Sequence, residues 1–241
     1  MNQVAKQVDW HLYAEKYDML LSYNPFYQTL QNEVLDITRE WNFTDGAQIA
    51  DVGAGTGNYS VPLAAQFPQA EVIHIDNNKA MNERAFQKKK EQQLSNMIIL
   101  AQGIEEVHLP PNSVQALLSV HALYTFPDPH KALRKMCSWL RPGGKGILVD
   151  PGRIVNVVDW QFAIGRRLLA KYGLTKTLEI FREGKPVSQQ NRHIRQMQRQ
   201  GKLWTHSHEE FYQTIESAGF TIIYSKTCFR GLSDMAVVTK S

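Results

Sequence analysis

The sequence predicts an α/β fold, a mostly parallel sheet with helices on both faces, and three observations lead there. From Gln48 to Asp150, apolar and β-branched runs alternate with helix-compatible segments, the pattern of a parallel sheet covered on both sides. A strand-like run reaching Asp51 enters a turn with Gly53, Gly55 and Gly57, after which Val61, Leu63 and Ala64 resume a helical pattern. The chain ends in two short strands whose connection is too brief for a crossover, so they must run antiparallel. With 241 residues, 43% of them hydrophobic and 21% charged, there is enough chain for one large α/β domain, or for a domain with a small elaboration.

The elements follow in order. Residues from about Val8 to Trp41 read as helices, with Trp10, Leu12, Tyr13, Tyr17, Leu20 and Leu21 at roughly helical spacing. Asn24-Pro25 interrupts them before a second stripe of Leu30, Val34, Leu35 and Ile37. Strand one is expected at about Gln48 to Val52, with a helix near Tyr59 to Phe67. Strand two, Glu71 to Asp76, precedes a polar helix near Met81 to Gln93. Strand three is about Met97 to Gln102. Strand four spans Val114 to Val120, followed by a helix from Pro129 to Leu140. The turn Arg141 to Gly144 leads into strand five, ending at Asp150. Residues 151–205 then hold polar, helix-compatible stretches and no convincing strand. Ser207 reads as an N-cap, with Glu209 and Glu210 in the first turn and Gly219 past the last one. The closing strands are about Thr221 to Cys228 and Met235 to Thr239, joined around Gly231 to Asp234. The expectation is one domain over 1–241, with a helical cap at 8–41, an internal lid at 151–205 and a seven-stranded sheet.

The start, MNQVAKQVDW, lacks an apolar segment of signal-peptide length, and no run approaches the roughly 18 apolar residues of a membrane span. Cys137 and Cys228 lie in apolar segments without metal-ligand spacing, as buried thiols of a reducing compartment do, so a soluble, cytoplasmic protein is expected. The net charge of +4 does not by itself imply nucleic acid. Arg182, Lys185, Arg192, Arg195, Arg199 and Lys202 face the single acid Glu183, which reads either as a solvated helix face or as a binding face for an anionic substrate, partner or membrane surface. Lys88, Lys89 and Lys90 read as a solvated helix surface. No metal site is expected, since His121, His206 and His208 have no partner cluster with ligand spacing.

The glycine turn carries the chemistry. Alternate glycines leave bare backbone against which a flat ligand can lie. A dinucleotide loop reads G-x-G-x-x-G and offers a helix N-terminus to a pyrophosphate. Here the spacing is G-x-G-x-G, and Asp51 two residues earlier would repel a pyrophosphate. A carboxylate there suits a ligand with an amino group and a sulfonium, such as S-adenosylmethionine. In Asp51-x-Gly53-x-Gly55-x-Gly57 the chain resembles the first motif of the class I S-adenosylmethionine-dependent methyltransferases, of the small-molecule, type 11-like kind. The resemblance implies a Rossmann-like domain whose parallel core ends in an antiparallel hairpin. It also implies S-adenosylmethionine as cofactor.

Asp76, at the end of strand two, is placed to accept from both ribose hydroxyls, with Asn77 beside it; the resemblance gives Asp76 the same role. Where relatives commonly read Gly-Asp-Ala, this chain has Ile104 followed by Glu105. Adenine is then held by the Ile104 backbone N–H and side-chain packing, or by Glu105. Strand four ends in SVHALYTFPDP, similar to the family's fourth motif, and puts His121 near the methionine part of the cofactor. His121 can shape the pocket, serve as a base or be a packed histidine. Tyr17, in YAEKYD, resembles a tyrosine that closes over the cofactor in relatives, with helix packing as the other reading.

The reaction expected is in-line displacement at the sulfonium methyl. It needs little acid–base machinery, because positioning and water exclusion can supply about 7–11 kcal/mol. His121 is the one candidate base. Acceptor choice falls to 8–41 and 151–205, with Tyr124, Trp160 and Tyr172 as candidate substrate contacts and Trp204 nearby in sequence. The acceptor is expected to be a small molecule, such as a metabolite, quinone precursor or lipid. Two other readings stay open. One is an RNA methyltransferase using the basic 182–202 stretch against phosphates; the other is a non-catalytic S-adenosylmethionine-binding protein.

Overall fold

The computed structural model describes residues 10–241, without the side chains of residues 10–13, 15 and 20. Val8, where the cap was expected to begin, and the side chains of Trp10, Leu12, Tyr13 and Leu20 lie outside the described part. The cap is two helices, α1 (Trp10–Tyr23) and α2 (Pro25–Arg39). Their break follows from the sequence: Pro25 starts α2, and the Asn24 side chain caps it by accepting from the N–H groups of Phe26 and Tyr27.

The core elements are β1 (Gln48–Val52), α3 (Ser60–Gln66), β2 (Glu71–Ile75), α4 (Lys79–Glu91), β3 (Met97–Leu100), β4 (Val114–Val120), α5 (Pro129–Trp139) and β5 (Leu140–Asp150). The lid is α6 (Val157–Glu183) and α7 (Lys185–Arg199), and the chain closes with α8 (His208–Ser217), β6 (Thr221–Cys228) and β7 (Ser233–Thr239). All seven strands form one sheet in the order β3-β2-β1-β4-β5-β7-β6. β1 to β5 are parallel, while β7 pairs antiparallel with both β5 and β6.

Three boundaries differ from expectation for local reasons. α4 begins at Lys79 because Asn78 accepts from Met81 N–H at 3.0 Å and so caps the helix two residues early. The Arg141–Gly144 turn is absorbed into β5 as an irregularity, with Leu140 paired to Val114 before the register shifts at Ala116. A short 3-10 turn at Phe229–Gly231 fills the final hairpin, so β7 starts at Ser233.

Alternation along each strand divides the core between the sheet's faces. Ile49, Val72, Met97 and Leu118 pack with Leu30 and Val34 of α2 and Leu63 of α3. Ala50, Ile73 and Leu117 pack with Leu133 and Met136 of α5 and with Phe211 and Ile215 of α8. β1 lies between β2 on one side and β4 on the other, so the chain connections leave its two sides in opposite directions and open a crevice at the strands' carboxyl ends. The glycine turn sits in that crevice.

Candidate active site

The turn after β1 is pinned to the end of β2, where Ile75 C=O accepts from both Gly53 N–H (2.8 Å) and Ala54 N–H (3.0 Å). Asp76 then holds the turn from the side. Its Oδ2 accepts from Gly55 N–H and its Oδ1 from Asn78 N–H, each at 2.8 Å. Burial raises the Asp76 pKa, and those two backbone donors pull it back down. Each carboxylate oxygen has capacity for a second donor. Asp76 also lines a cleft of about 190 Å³ with Gly53, Gly55, Asn77, Ile104 and Glu105. The residues expected to touch ribose and adenine are thus brought to one place.

The three glycines serve different needs. A Cβ on Gly53 would lie 2.3 Å from Ala122 Cβ, so the turn could not approach the end of β4. A Cβ on Gly57 would meet Ala85 and Val61 at 3.2 and 3.3 Å, which makes it a packing site beneath the cleft. Only Gly55 has open space beside it, the nearest atom being Tyr17 Cε1 at 3.9 Å; its side faces the cleft as bare backbone. A flat ligand with two ribose hydroxyls fits this cradle and the spare acceptor capacity of Asp76.

Asp51 and Gly57 are not among the cleft walls. Asp51 is buried, with Oδ2 2.5 Å from Ser60 Oγ, which in turn lies 2.9 Å from His74 Nδ1. His74 Nε2 is 3.0 Å from Asn82 Oδ1, and Asn82 donates to Asp76 C=O at 2.8 Å. This chain of contacts ties β1, α3, β2 and α4 together under the glycine turn. Burial pushes Asp51 up to about 7 and His74 down to about 4. In this structure Asp51 organises the turn from below.

α1 covers the cleft. Tyr17 lines it, and its hydroxyl is 2.9 Å from that of Tyr27 on α2. Lys88, expected on a solvated surface, instead reaches across to Asp18 of α1 at 2.7 Å and to Asn58 (2.8 Å) and Thr56 (3.2 Å) of the glycine turn. That correction has a simple cause: the lysine run ends α4, which packs against both α1 and α3, so one of its three ammonium groups points inward.

Beyond Tyr17 lies a larger cavity of about 510 Å³, enclosed by α1, α2, α6, α7 and the ends of β4 and β5. Tyr17 and His121 line both it and the cleft, so the two spaces share a wall. Trp160 and Tyr124 line it as expected. Tyr172 does not: it sits near the kink where Gly173 leaves helical geometry (φ 74°, ψ 177°) and lines a separate surface depression with Tyr23 and Arg167. Trp204 also lies elsewhere, packed against His130 and Phe211. The mouth of the cavity carries Arg182, Lys185 and Arg192, and among the described residues no Asp or Glu lines it. The basic stretch is therefore divided, half of it turned to this cavity.

His121 occupies the left-handed region at φ 55°, held by its N–H to Val149 C=O at 2.7 Å and by Nε2 to Ser233 Oγ at 2.9 Å. Its ring meets those of Phe229 and Tyr27 edge-on. Burial lowers its pKa to about 4. An imidazole so disposed is neutral at pH 7 and a weak base, which suits a wall that positions reactants more than a proton acceptor. Sequence reasoning missed Tyr27, Phe229 and Lys88, all of which reach the site from elements distant in sequence. Among the described residues, no group of three His, Cys, Asp or Glu side chains could hold a metal ion.

Residues 49–144 match a family model described as a methyltransferase domain. A trans-aconitate 2-methyltransferase of Deinococcus radiodurans is 38% identical over 98 residues, covering 41% of this chain and 35% of that protein. A demethylmenaquinone methyltransferase of a Geobacillus species (strain WCH70) is 26% identical over 184 residues, 76% of this chain and 68% of that one. The chain thus spans between about a third and two thirds of the length of these curated relatives. In structure, a SAM-dependent methyltransferase from Aquifex aeolicus shares the fold, with TM-score 0.62 at 17% identity over 95% of this chain and 97% of that one. Residues 49–144 thus carry a methyltransferase domain, and the sheet order and glycine turn around it are those of the fold shared with solved S-adenosylmethionine-dependent methyltransferases, which supports the class I S-adenosylmethionine-dependent class. S-adenosylmethionine is the methyl donor of that class.

Proposed function

We propose that this protein methylates a small, largely apolar acceptor that carries its own negative charge, using S-adenosylmethionine bound at the glycine turn. One observation carries the reading: the glycine-turn cleft and the 510 Å³ cavity share Tyr17 and His121 as a common wall. Two ligands can therefore meet at that wall, and holding them together in a fixed geometry is what a displacement reaction needs most. When bound, the cofactor supplies an electrophilic methyl group on a sulfonium.

The chain's own residues do the rest. Asp76 accepts the ribose hydroxyls, and Ile104 and Glu105 border the adenine end. Tyr17 closes the top, and His121 fixes the wall between donor and acceptor. Burial holds Tyr17 well above the usual phenol range and His121 at about 4, so neither is poised to take a proton near pH 7. Among the described residues no Asp or Glu lines the cavity, which favours an acceptor atom that is already nucleophilic at neutral pH. Arg182, Lys185 and Arg192 at the mouth suit such an anion. The relatives' names, with trans-aconitate and demethylmenaquinone, are those of small-molecule methylators and support this class.

The test is calorimetric titration with S-adenosylmethionine, its demethylated product and NAD, followed by a methyl-transfer screen over carboxylates, phenols and isoprenoid anions. The expected result is micromolar binding of the first two, none of NAD, and turnover lowered by Ile164→Trp, which narrows the cavity while cofactor binding stays unchanged. Binding of NAD instead, or turnover indifferent to Ile164→Trp, overturns the proposal.

A further inference from the structure

The tip of the final hairpin meets the lid with an uncommon backbone. Phe229, Arg230 and Gly231 all hold left-handed geometry, at φ 50°, 56° and 77°. Glycine adopts it freely, but two consecutive residues with a Cβ do so only where contacts hold them there. Arg153, at the start of the lid, supplies one such contact, its Nε donating to Gly231 C=O at 3.0 Å. The side chains supply the others. Phe229 turns inward and lines the cavity, its ring 4.6 Å from that of Trp160 and 4.7 Å from that of His121. Arg230 turns outward and lines neither the cavity nor the cleft.

One guanidinium there joins three elements. Its carbon lies 5.2 Å from the ring centre of Phe26 on α2 and 5.2 Å from that of Trp160 on α6. Its terminal nitrogens donate to the two carboxylate oxygens of Asp159, the neighbour of Trp160, at 2.9 and 3.5 Å. The rings of Phe26 and Trp160 meet edge-on at 5.4 Å, and Arg167, two turns along α6, approaches Phe26 at 5.9 Å. Arginine suits this junction because its flat, delocalised group can face rings while its fork pairs with a carboxylate. Other contacts of α6 are internal to the lid. Gln161 donates to Ser188 of α7 at 2.7 Å, and beyond the kink Phe181 folds back to within 3.3 Å of the Cβ that Gly165 lacks. A second tie to the cap, the Tyr23 and Tyr172 rings at 6.2 Å, lies at the kinked end. We propose that Arg230 is the clasp that holds the first half of α6 closed over the cavity, and so tightens acceptor binding without touching the acceptor. The inference rests on the reading of that cavity as the acceptor site. Arg230 is then a positioning residue, acting through Trp160 and Phe229, and Phe229 carries its effect to His121 in the wall shared with the cleft.

The experiment is hydrogen exchange of the full chain, read by mass spectrometry across residues 157–172, in wild type, Arg230→Gln and Asp159→Asn. Glutamine makes the same backbone demand at 230, so the variant isolates the guanidinium. Arg230→Gln should exchange at least about fivefold faster there, with the sheet unchanged, because an ion pair and two ring contacts are lost together. Asp159→Asn should raise exchange less, and added to Arg230→Gln it should contribute no more than about twofold, since its partner is already gone. On an acceptor found in the methyl-transfer screen, Arg230→Gln should raise KM at least about fivefold and change kcat and S-adenosylmethionine affinity by less than about twofold. Arg230→Lys, which keeps the charge without the flat face, should recover only part of the difference. Exchange in 157–172 that Arg230→Gln leaves unchanged, or raises equally across the sheet, overturns the proposal. So does faster exchange with an unchanged acceptor KM. Exchange needs neither cofactor nor acceptor, so absence of turnover in the screen counts against the methyl-transfer reading and leaves the clasp to be judged by exchange.

Discussion

Replacing Asp51 by asparagine would separate two opposing pH dependences buried beneath the glycine turn. Asn82 donates through Nδ2 to Asp76 C=O, which turns its Oδ1 toward His74 and requires a proton on His74 Nε2. Asp51 and His74 then share one further proton through Ser60. On Asp51 it makes the carboxyl donate to Ser60 and Ser60 donate to Nδ1; on His74 both bonds reverse. Burial disfavours the ion pair, pushing Asp51 from 3.8 to about 7 and His74 from 6.5 to about 4. At 1.36 kcal/mol per pH unit these correspond to upper limits of about 4 and about 3 kcal/mol. Asp51 holds its proton more tightly when folded, so its contribution to stability falls as pH rises from about 4 to about 7. His74 binds its proton less tightly when folded, so its contribution rises between about 4 and 6.5. In the native chain the two nearly cancel. The carboxamide introduced by Asp51→Asn copies the protonated carboxyl as a donor to Ser60 and has no charge to bury. The variant should therefore gain up to about 3 kcal/mol of stability between pH 4 and 6.5, and at pH 8 exceed the native protein by up to about 4 kcal/mol. Urea unfolding followed by circular dichroism from pH 4 to 8 measures both curves. Parallel curves, or a variant less stable than native at pH 8, refute the proton assignment. S-adenosylmethionine affinity should change by less than about threefold, since Asp51 forms no wall of the cleft.

Three further outcomes are expected. Asp76→Ala should weaken S-adenosylmethionine binding by at least about tenfold in calorimetry while the protein stays folded, because it removes the acceptors beside Gly55; unchanged affinity would displace the ribose from this site. Gly53→Ala and Gly55→Ala should fail differently. The first meets Ala122 at 2.3 Å and should lower the thermal midpoint sharply, whereas the second has open space and should cost about 1–2 kcal/mol of backbone strain but lose cofactor binding. Lys88→Met breaks the link from α1 to Thr56 and Asn58, and should raise hydrogen exchange across residues 14–23 and destabilise the protein by about 1–2 kcal/mol; exchange unchanged there would show that α1 is held by its apolar contacts alone.

Most of the fold was legible because it rests on local and periodic signals. β1 and β4 stand where alternation put them, and Ser207 caps α8 as its residue type suggests. The break between α1 and α2 falls at Asn24-Pro25, as a polar cap before a proline requires. The glycine turn was legible for a similar reason, since positive φ at Gly53, Gly55 and Gly57 leaves few residue types to choose from. The substrate side was less so. Tyr172 and Trp160 are both aromatic residues of one lid helix, yet only Trp160 reaches the cavity, because the angular position on α6 and the kink at Gly173 decide which way each faces.

By itself, the sequence determined the order of strands and helices, the class of cofactor site and the position of Asp76 at its rim, because each follows from backbone geometry within a few residues. Only the tertiary structure decided that Asp51 lies under the turn and that Lys88 ties the cap to it. It also decided that desolvation keeps the His121 ring uncharged at neutral pH, and that the cleft and the larger cavity share one wall. Those facts depend on burial and on contacts between segments as far apart in the chain as His121 and Ser233, and desolvation is a property of what packs around a group, which no local pattern records.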